Sequence, residues 1–368
     1  MKVEDPRGGD FMRTIGPFVE TDAADDPAGH SLFWAVEGRG RKGVTLDLRR
    51  PEGQDLFRRL AATADVVCRE LPARDDGEVG VGPADLDPRV VMVRISVFGQ
   101  DGPERDTPGL DRLGIGYGGL LHLTGYADRP PVRPGVTISD YLTGSFAAQA
   151  ATAALYRRDA GGTGEGAVVD AFLYGSVLRI LEWTIAGYDQ LGVVRERSGN
   201  RLPNSAPLDN YPTADGRYVC IVAGSDANFA RLCRAMERPD LVDDPRFARL
   251  ADRASRSDEI NDLVAAWTSE LPAVEVEERC VAEDVPVATA YTAATLAADA
   301  HMAARGDLVT VDDPVIGPVR QQAPFPRFVG EPVPTPAGAP RLGEHNDEIW
   351  GPILGARDYD RARRDGLV

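Results

Sequence analysis

Long apolar runs are missing from this 368-residue chain. No stretch approaches the roughly 20 residues that a membrane-spanning helix needs. The opening MKVEDPRGGD also lacks the apolar core of a secretory signal, so a cytoplasmic protein is expected. Cysteine is scarce, at Cys68, Cys220, Cys233 and Cys280 only. None forms a C-x-x-C pair, and each sits in an apolar or helical pattern. Buried free thiols are expected rather than disulfides or a zinc site. The four histidines (His30, His122, His301, His345) show no H-x-x-x-H spacing, so no metal site is expected. Positive charge is short as well: 41 Lys and Arg face 58 Asp and Glu, a net −17 at pH 7. That balance excludes nucleic acid as a partner, because phosphate neutralisation needs a basic surface. It also opposes docking on an anionic membrane.

Familiar catalytic motifs are absent too. No strand run leads into GIGYGG (Gly114 to Gly119), so it reads as close-packing glycine rather than a dinucleotide loop. No P-loop, nucleophile elbow or H-E-x-x-H is present. What stands out is one basic run in an acidic chain: Arg39, Arg41, Lys42, Arg49 and Arg50. It reads either as a solvated, charge-mixed face or as a local cluster for an anionic ligand.

Short β-branched runs alternate with helical patterns in the first half. GVTLDL reads as a strand, PEGQDLFRRLAATA as a helix with Pro51 in its first turn, and ADVVC and RVVMVRISVFG as strands. Such alternation predicts βαβ units and a mainly parallel sheet. Tyr141 to Tyr156 is rich in small residues and predicts a closely packed helix, and VVDAFLYGSVLRILEWTIAGYDQL reads as another buried helix. Ser198 to Arg217, rich in Pro, Asn, Asp and Gly, reads as a linker or long ordered loop. A second module follows: the strand RYVCIVA, a helix capped by Ser225 or Asp226 with Phe229, Leu232, Cys233 and Met236 on one face, and a second stripe at Ile260, Leu263, Val264 and Trp267. From about Pro318 the chain reads as a return segment with a short final helix.

One carboxylate raises a chemical question. Asp140 stands in VTISDYLTG, where a Pro- and Gly-rich stretch meets the small-residue helix. Local physics allows two roles, a helix cap worth about 0.5–2 kcal/mol or a nucleophile, which requires the carboxylate to be desolvated and aimed.

Several segments, taken in order, carry a resemblance. ISVFGQDGP (Ile95 to Pro103) resembles the I-S-x-F-G-Q-x-G-P signature of the class III CoA-transferases, a family that includes formyl-CoA and carnitine CoA-transferases and α-methylacyl-CoA racemase. VTLDLRRPEG, ADVVCRELPA, PGLDRLGIGYGGLLHLTG, GNRLPNSAP, RPDLVDDPRF, DVPVATAYT and APRLGEHNDEI are similar to further family segments at family spacing. The resemblance implies an α/β fold: a Rossmann-like large domain with a mainly parallel sheet, plus a smaller α+β domain. Residues 1–197 would form the first part of the large domain, 198–310 the linker and small domain, and 311–368 the return segment. It also implies an interlocked homodimer.

The resemblance further implies that Asp140, in the family's D-x-x-x-G segment, attacks an acyl-CoA thioester and passes through an anhydride and an aspartyl-CoA thioester. CoA enters as the acyl-CoA substrate, with a carboxylic acid as acceptor and no metal. The CoA-contacting positions implied are Arg39, Arg41, Leu46, Leu48, Arg49, Leu71, Pro108, Gly109, Leu110 and Asp111.

Four departures from the family pattern bear on this reading. The chain aligns from the family's V-I-K-V-E-x-P-x-G-D, so a first βα unit is expected to be absent, leaving an edge for a partner to cover. The family's E-N-F is Arg69, Glu70, Leu71 here, and Glu78 stands where an arginine is often found. Both place anions near an anionic cofactor and would weaken its binding. A non-catalytic or heteromeric subunit is therefore the alternative reading. Leu110 replaces the histidine a racemase uses, which disfavours that branch.

Overall fold

The computed structural model describes residues 1–21, 29–70 and 81–368. Within them the chain divides into two compact units: residues 1–114, 139–176 and 297–368, and residues 115–138 and 177–296.

In the first unit, strand β1 (Lys2–Glu4) is followed by the short antiparallel pair β2 (Phe18–Val19) and β3 (His30–Ser31), helix α1 (Leu32–Glu37) and strand β4 (Gly43–Thr45). β4 pairs with β1 in parallel, Val44 opposite Val3. Pro51 opens helix α2 (Pro51–Ala61), where its missing N–H costs nothing and its fixed φ suits the helix. Leu56 and Leu60 of α2 bury against Val44 and Leu46. Strands β5 (Val66–Glu70), β6 (Val91–Ser96) and β7 (Val168–Phe172) form a second parallel sheet in the order β5-β6-β7.

The helices that follow β6 include α3 (Asp111–Tyr117) and the 22-residue α4 (Ile138–Asp159). Ala147, Ala151 and Ala154 of α4 lie on Val91 and Val93 of β6; side chains this small bring the helix close to the sheet. Helix α5 (Leu173–Arg179) follows β7.

Residues 297–368 return to this unit. Strands β11 (Leu308–Asp313) and β12 (Gly317–Gln322) make a hairpin, and helices α9 (Asn346–Leu354) and α10 (Ala356–Arg364) close the core over β4. Trp350 is fully buried and its indole N–H donates to the Thr45 carbonyl at 3.0 Å. The Asn346 side chain accepts from the Thr45 N–H at 2.8 Å. A buried ion pair ties in the N-terminus: Arg13 donates twice to Glu4 at 2.8 Å and lies 3.8 Å over the Trp34 ring.

The second unit carries an antiparallel sheet in the order β10-β9-β8, from β8 (Leu208–Pro212), β9 (Tyr218–Val222) and β10 (Val287–Thr289). Helices α6 (Asp226–Ala235), α7 (Ser257–Ser269) and α8 (Ala273–Ala282) cover it. Phe229, Leu232, Cys233, Ile260 and Val264 share one core with Val219 and Ile221. The Ser225 hydroxyl caps α6 by accepting from the Asn228 N–H at 3.2 Å. Arg253 is fully buried, and its guanidinium donates to the carbonyls of Ala206, Phe247 and Gly224 and to Asp226. Each of the three guanidinium nitrogens thereby finds an acceptor, which offsets much of the cost of burying such a charge.

Four readings of the sequence differ from the structure. VVDAF is strand β7, not the start of a buried helix; its β-branched pair extends a parallel sheet whose buried strands read as continuous apolar runs. The Ser198–Arg217 stretch contains a strand, β8. The C-terminus holds two helices where one was expected. Cys68 is exposed, whereas Cys233 and Cys280 are buried as expected. The unit boundaries also fall elsewhere: residues 115–138 and 177–197 group with the second unit. Composition marks a boundary where secondary structure stops, and here helices α3 and α4 run through the crossing points.

Trp350→Ala should remove a buried ring and orphan the Thr45 carbonyl, destabilising the first unit by about 3–5 kcal/mol. Urea unfolding followed by circular dichroism would record this as a lowered midpoint.

Candidate active site

The geometry around Asp140 starts with Asp111, a buried carboxylate 28 residues before Ser139. Asp111 opens α3 and is 8% exposed. Its Oδ1 accepts from the Ser139 N–H at 2.9 Å and from the Ser139 hydroxyl at 2.8 Å. Ser139 is fully buried, so this carboxylate satisfies one of the orphan donors of the first turn of α4. Gly114 makes the approach feasible, because a Cβ there would lie 2.7 Å from Leu173 Cβ and 2.9 Å from Ser139 Oγ. One turn further on, the Thr143 hydroxyl donates to Ser176 Oγ at 2.8 Å, and Ser176 donates to the Leu173 carbonyl at 2.8 Å. The buried side of the turn is thus pinned by polar contacts.

Asp140 occupies the opposite, exposed side. It is the third residue of α4, so it lies inside the first turn and is not the cap residue that local reading allowed. Negative charge is favoured there by the unpaired N–H groups and the helix dipole. The next residue, Tyr141, donates its hydroxyl to Glu37 at the end of α1, at 2.6 Å. That hydrogen bond is the main cause that pushes the Tyr141 phenol up to about 12, with desolvation and the Glu37 charge adding to it.

The positions implied as CoA contacts divide into several kinds. Arg39 donates to Gln321 at 2.7 Å; Gln321 is itself buried and donates to the Ala35 carbonyl. Arg41 is exposed. Arg49 pairs with Asp47 and Asp5, and Lys42 with Glu348. Leu46 is core, 2% exposed, so only its backbone could face a ligand; Leu48 packs at the edge of the same cluster. Pro108, Gly109 and Leu110 lead into α3, with Leu110 66% exposed and Asp111 turned inward onto Ser139. Leu71 and Glu78 lie outside the described residues. Glu70 ends β5, where desolvation raises its carboxyl pKa against the opposing charge of Lys2.

The structure therefore brings Asp111 to the first turn that carries Asp140 and leaves the basic run tied largely to neighbouring carboxylates. Sequence reading missed Ser139, Thr143, Ser176 and Glu37. Only the conjunction of a small-residue helix with glycine at Gly114 hinted at the close approach.

The Glu37–Tyr141 bond has a pH signature. The folded phenol titrates above its ordinary value of 10.0, so the bond's contribution is complete below pH 10 and is lost as pH rises through about 12. An ultraviolet difference titration against Tyr141→Phe should show that phenolate amplitude only near pH 12, and Glu37→Gln should move it down.

Comparison with known proteins places the chain in a family. Residues 1–346 match the family described as CoA-transferase family III. The chain is 40% identical to a succinyl-CoA–D-citramalate CoA-transferase of Chloroflexus aurantiacus, over 98% of this chain and 89% of that one. It is 35% identical to the succinyl-CoA–L-malate CoA-transferase beta subunit of the same organism, over 97% and 88%. Among solved structures, a CaiB/BaiF family protein from Brucella suis superposes with a TM-score of 0.83 at 29% identity, covering 95% of this chain and 90% of that one. This chain belongs to the CoA-transferase family III.

Proposed function

We propose that the protein moves CoA from a dicarboxylic acyl-CoA of the succinyl class to a second carboxylic acid, with Asp140 as the nucleophile. The carrying observation is the placement of Asp140: exposed, in the first turn of a long helix whose buried side is anchored by Asp111. Several relatives are named for succinyl-CoA donors and for citramalate, malate or mesaconate acceptors, which supports the substrate class.

In this reading an Asp140 oxygen attacks the thioester carbonyl; the C–S bond breaks, CoA leaves as thiolate, and an acyl–aspartyl anhydride remains. The thiolate then attacks the Asp140 carbonyl carbon and expels the donor acid, leaving an aspartyl-CoA thioester. The acceptor carboxylate attacks that thioester, giving a new anhydride and free thiolate. Attack of the thiolate on the acceptor carbonyl yields acceptor-CoA and restores the Asp140 carboxylate. Each tetrahedral oxyanion needs preorganised donors. The Ser139 N–H is already committed to Asp111, so other first-turn N–H groups are the candidates. No metal is required. Arg39 and Arg41 flank Gly40 and suit the phosphates of CoA, Arg41 being exposed and Arg39 held by Gln321.

The proposed assembly is the family's interlocked homodimer. Trp183, Ile185, Tyr188 and Leu191 are each more than half exposed in the second unit, an apolar patch of the kind a partner covers. A heteromer is the second reading, favoured by the likeness to the alpha and beta subunits of the L-malate enzyme. Light scattering with intact-mass analysis of the active species separates the two. The racemase reading stays disfavoured by Leu110.

Mass spectrometry after incubation with succinyl-CoA should detect a covalent adduct on the wild type and none on Asp140→Ala; an undiminished adduct on the variant would end the proposal. Asp111→Ala, which removes the acceptor of both Ser139 bonds, should lower kcat on the order of 100-fold by loosening the turn that aims Asp140, with a smaller change in KM. Steady-state kinetics, with circular dichroism to confirm folding, would test this.

A further inference from the structure

The proposed donors and acceptors each carry two carboxyl groups, and the chemistry at Asp140 uses one. The other arrives as a carboxylate, beside a carboxylate nucleophile, in a chain of net charge −17. Like charges in contact oppose binding. A dicarboxylic substrate therefore needs a cation near Asp140 that is not already tied to a protein carboxylate or to the CoA phosphates.

Many basic side chains of the first unit are tied. Lys2 pairs with Asp10, Arg13 with Glu4, Lys42 with Glu348 and Arg105 with Asp106. Arg112 differs. It is exposed, and among the described residues no carboxylate or carbonyl oxygen takes its guanidinium.

Its place in the chain puts it close to Asp140. Arg112 follows Asp111, which anchors the first turn of α4, as Asp140 follows Ser139, the residue that is anchored. The Ser139 N–H lies 2.9 Å from Asp111 Oδ1, and a Cβ at Gly114 would lie 2.9 Å from Ser139 Oγ. The Asp111 and Gly114 side of α3 thus runs against the start of α4, and Arg112 and Asp140 are the first exposed residues after that contact on each helix. Each stands one peptide step, about 3.8 Å between Cα atoms, from a residue of the contact. An extended arginine, a short diacid and an aspartate bridge such a span end to end.

The surroundings suit a diacid. Leu110 and Leu113 bracket Arg112 and are 66% and 48% exposed. Leu113 folds back toward Gly109, where a Cβ would lie 2.9 Å from its Cδ1. Both leucines offer apolar surface to the carbons between two carboxyl groups. One turn after Asp140, Gly144 is exposed, and a Cβ there would meet nothing within 4 Å. Side chains at i and i+4 stack on one helix face, so glycine at 144 leaves the approach to Asp140 open.

We propose, building on Asp140 as the nucleophile, that Arg112 is the specificity residue for dicarboxylic substrates. Its guanidinium takes the distal carboxylate while the reacting carbonyl lies at Asp140. The planar fork of arginine matches a carboxylate with two parallel N–H···O bonds. Donor and acceptor use the contact in turn, since each is a diacid when it meets Asp140. A thioester of equal length without the second carboxylate leaves the guanidinium unpaired, which is how a polar contact discriminates. Arg112 takes no part in bond making, so it selects substrates by affinity.

Equilibrium titration of the full chain carrying Asp140→Asn, which stops turnover, compares succinyl-CoA with butyryl-CoA, the four-carbon thioester that lacks the distal carboxylate. The parent should bind succinyl-CoA more tightly. Adding Arg112→Gln should weaken succinyl-CoA at least about tenfold and leave butyryl-CoA within about twofold, the difference expected for a charge-assisted pair. Arg112→Lys should restore part of the preference as a point charge. Arg41→Gln should weaken both thioesters alike, because both carry the same CoA. An equal loss for the two thioesters in Arg112→Gln would overturn the assignment, as would a parent with no preference for succinyl-CoA. So would a preference that survives Arg112→Gln and disappears in Arg41→Gln. Arg112 makes no contact whose loss should unfold the chain, and circular dichroism checks this. The titration reads binding alone, so a missing covalent adduct would refute Asp140 as the nucleophile without deciding the carboxylate contact.

Discussion

One buried carboxylate organises the candidate site. Asp111 Oδ1 receives two hydrogen bonds from Ser139, one from the backbone and one from the hydroxyl. Both partners are buried, and an unpaired acceptor there would cost about 1–3 kcal/mol or more. The pairing therefore fixes where α4 begins and which side of its first turn faces inward. Asp140 follows Ser139 by one residue, about 100° around the helix, so burying Ser139 exposes Asp140. The contact through which the fold anchors the helix is also the one that presents the carboxylate.

The same economy runs through the basic run. Arg49 and Lys42 are paired with carboxylates, and Arg39 rests on a buried glutamine that in turn holds the end of α1. In a chain of net charge −17, the cations of this run are held in place largely by anions around them. Exposed pairs of this kind contribute little stability, but they orient the guanidinium groups and can exchange partners for a phosphate.

Much was written in local sequence. Pro51 at the start of α2, the Ser225 cap, the two apolar stripes of the second unit and the β-branched runs of β5 and β6 follow from chemistry within a few residues, as did the motifs that carried the family resemblance. What needed the tertiary structure was pairing at a distance. VVDAF became a strand because β6 offered it a parallel edge, and Asp111 became a helix anchor because Gly114 lets two segments meet. Cys68 is exposed because nothing among the described residues covers its side of β5. Sequence by itself carried the family resemblance and most of the element types, and it singled out Asp140 as the candidate carboxylate. Only the folded chain decided that Asp140 lies inside the first turn and which neighbour holds that turn, because each depends on contacts between residues far apart in the chain.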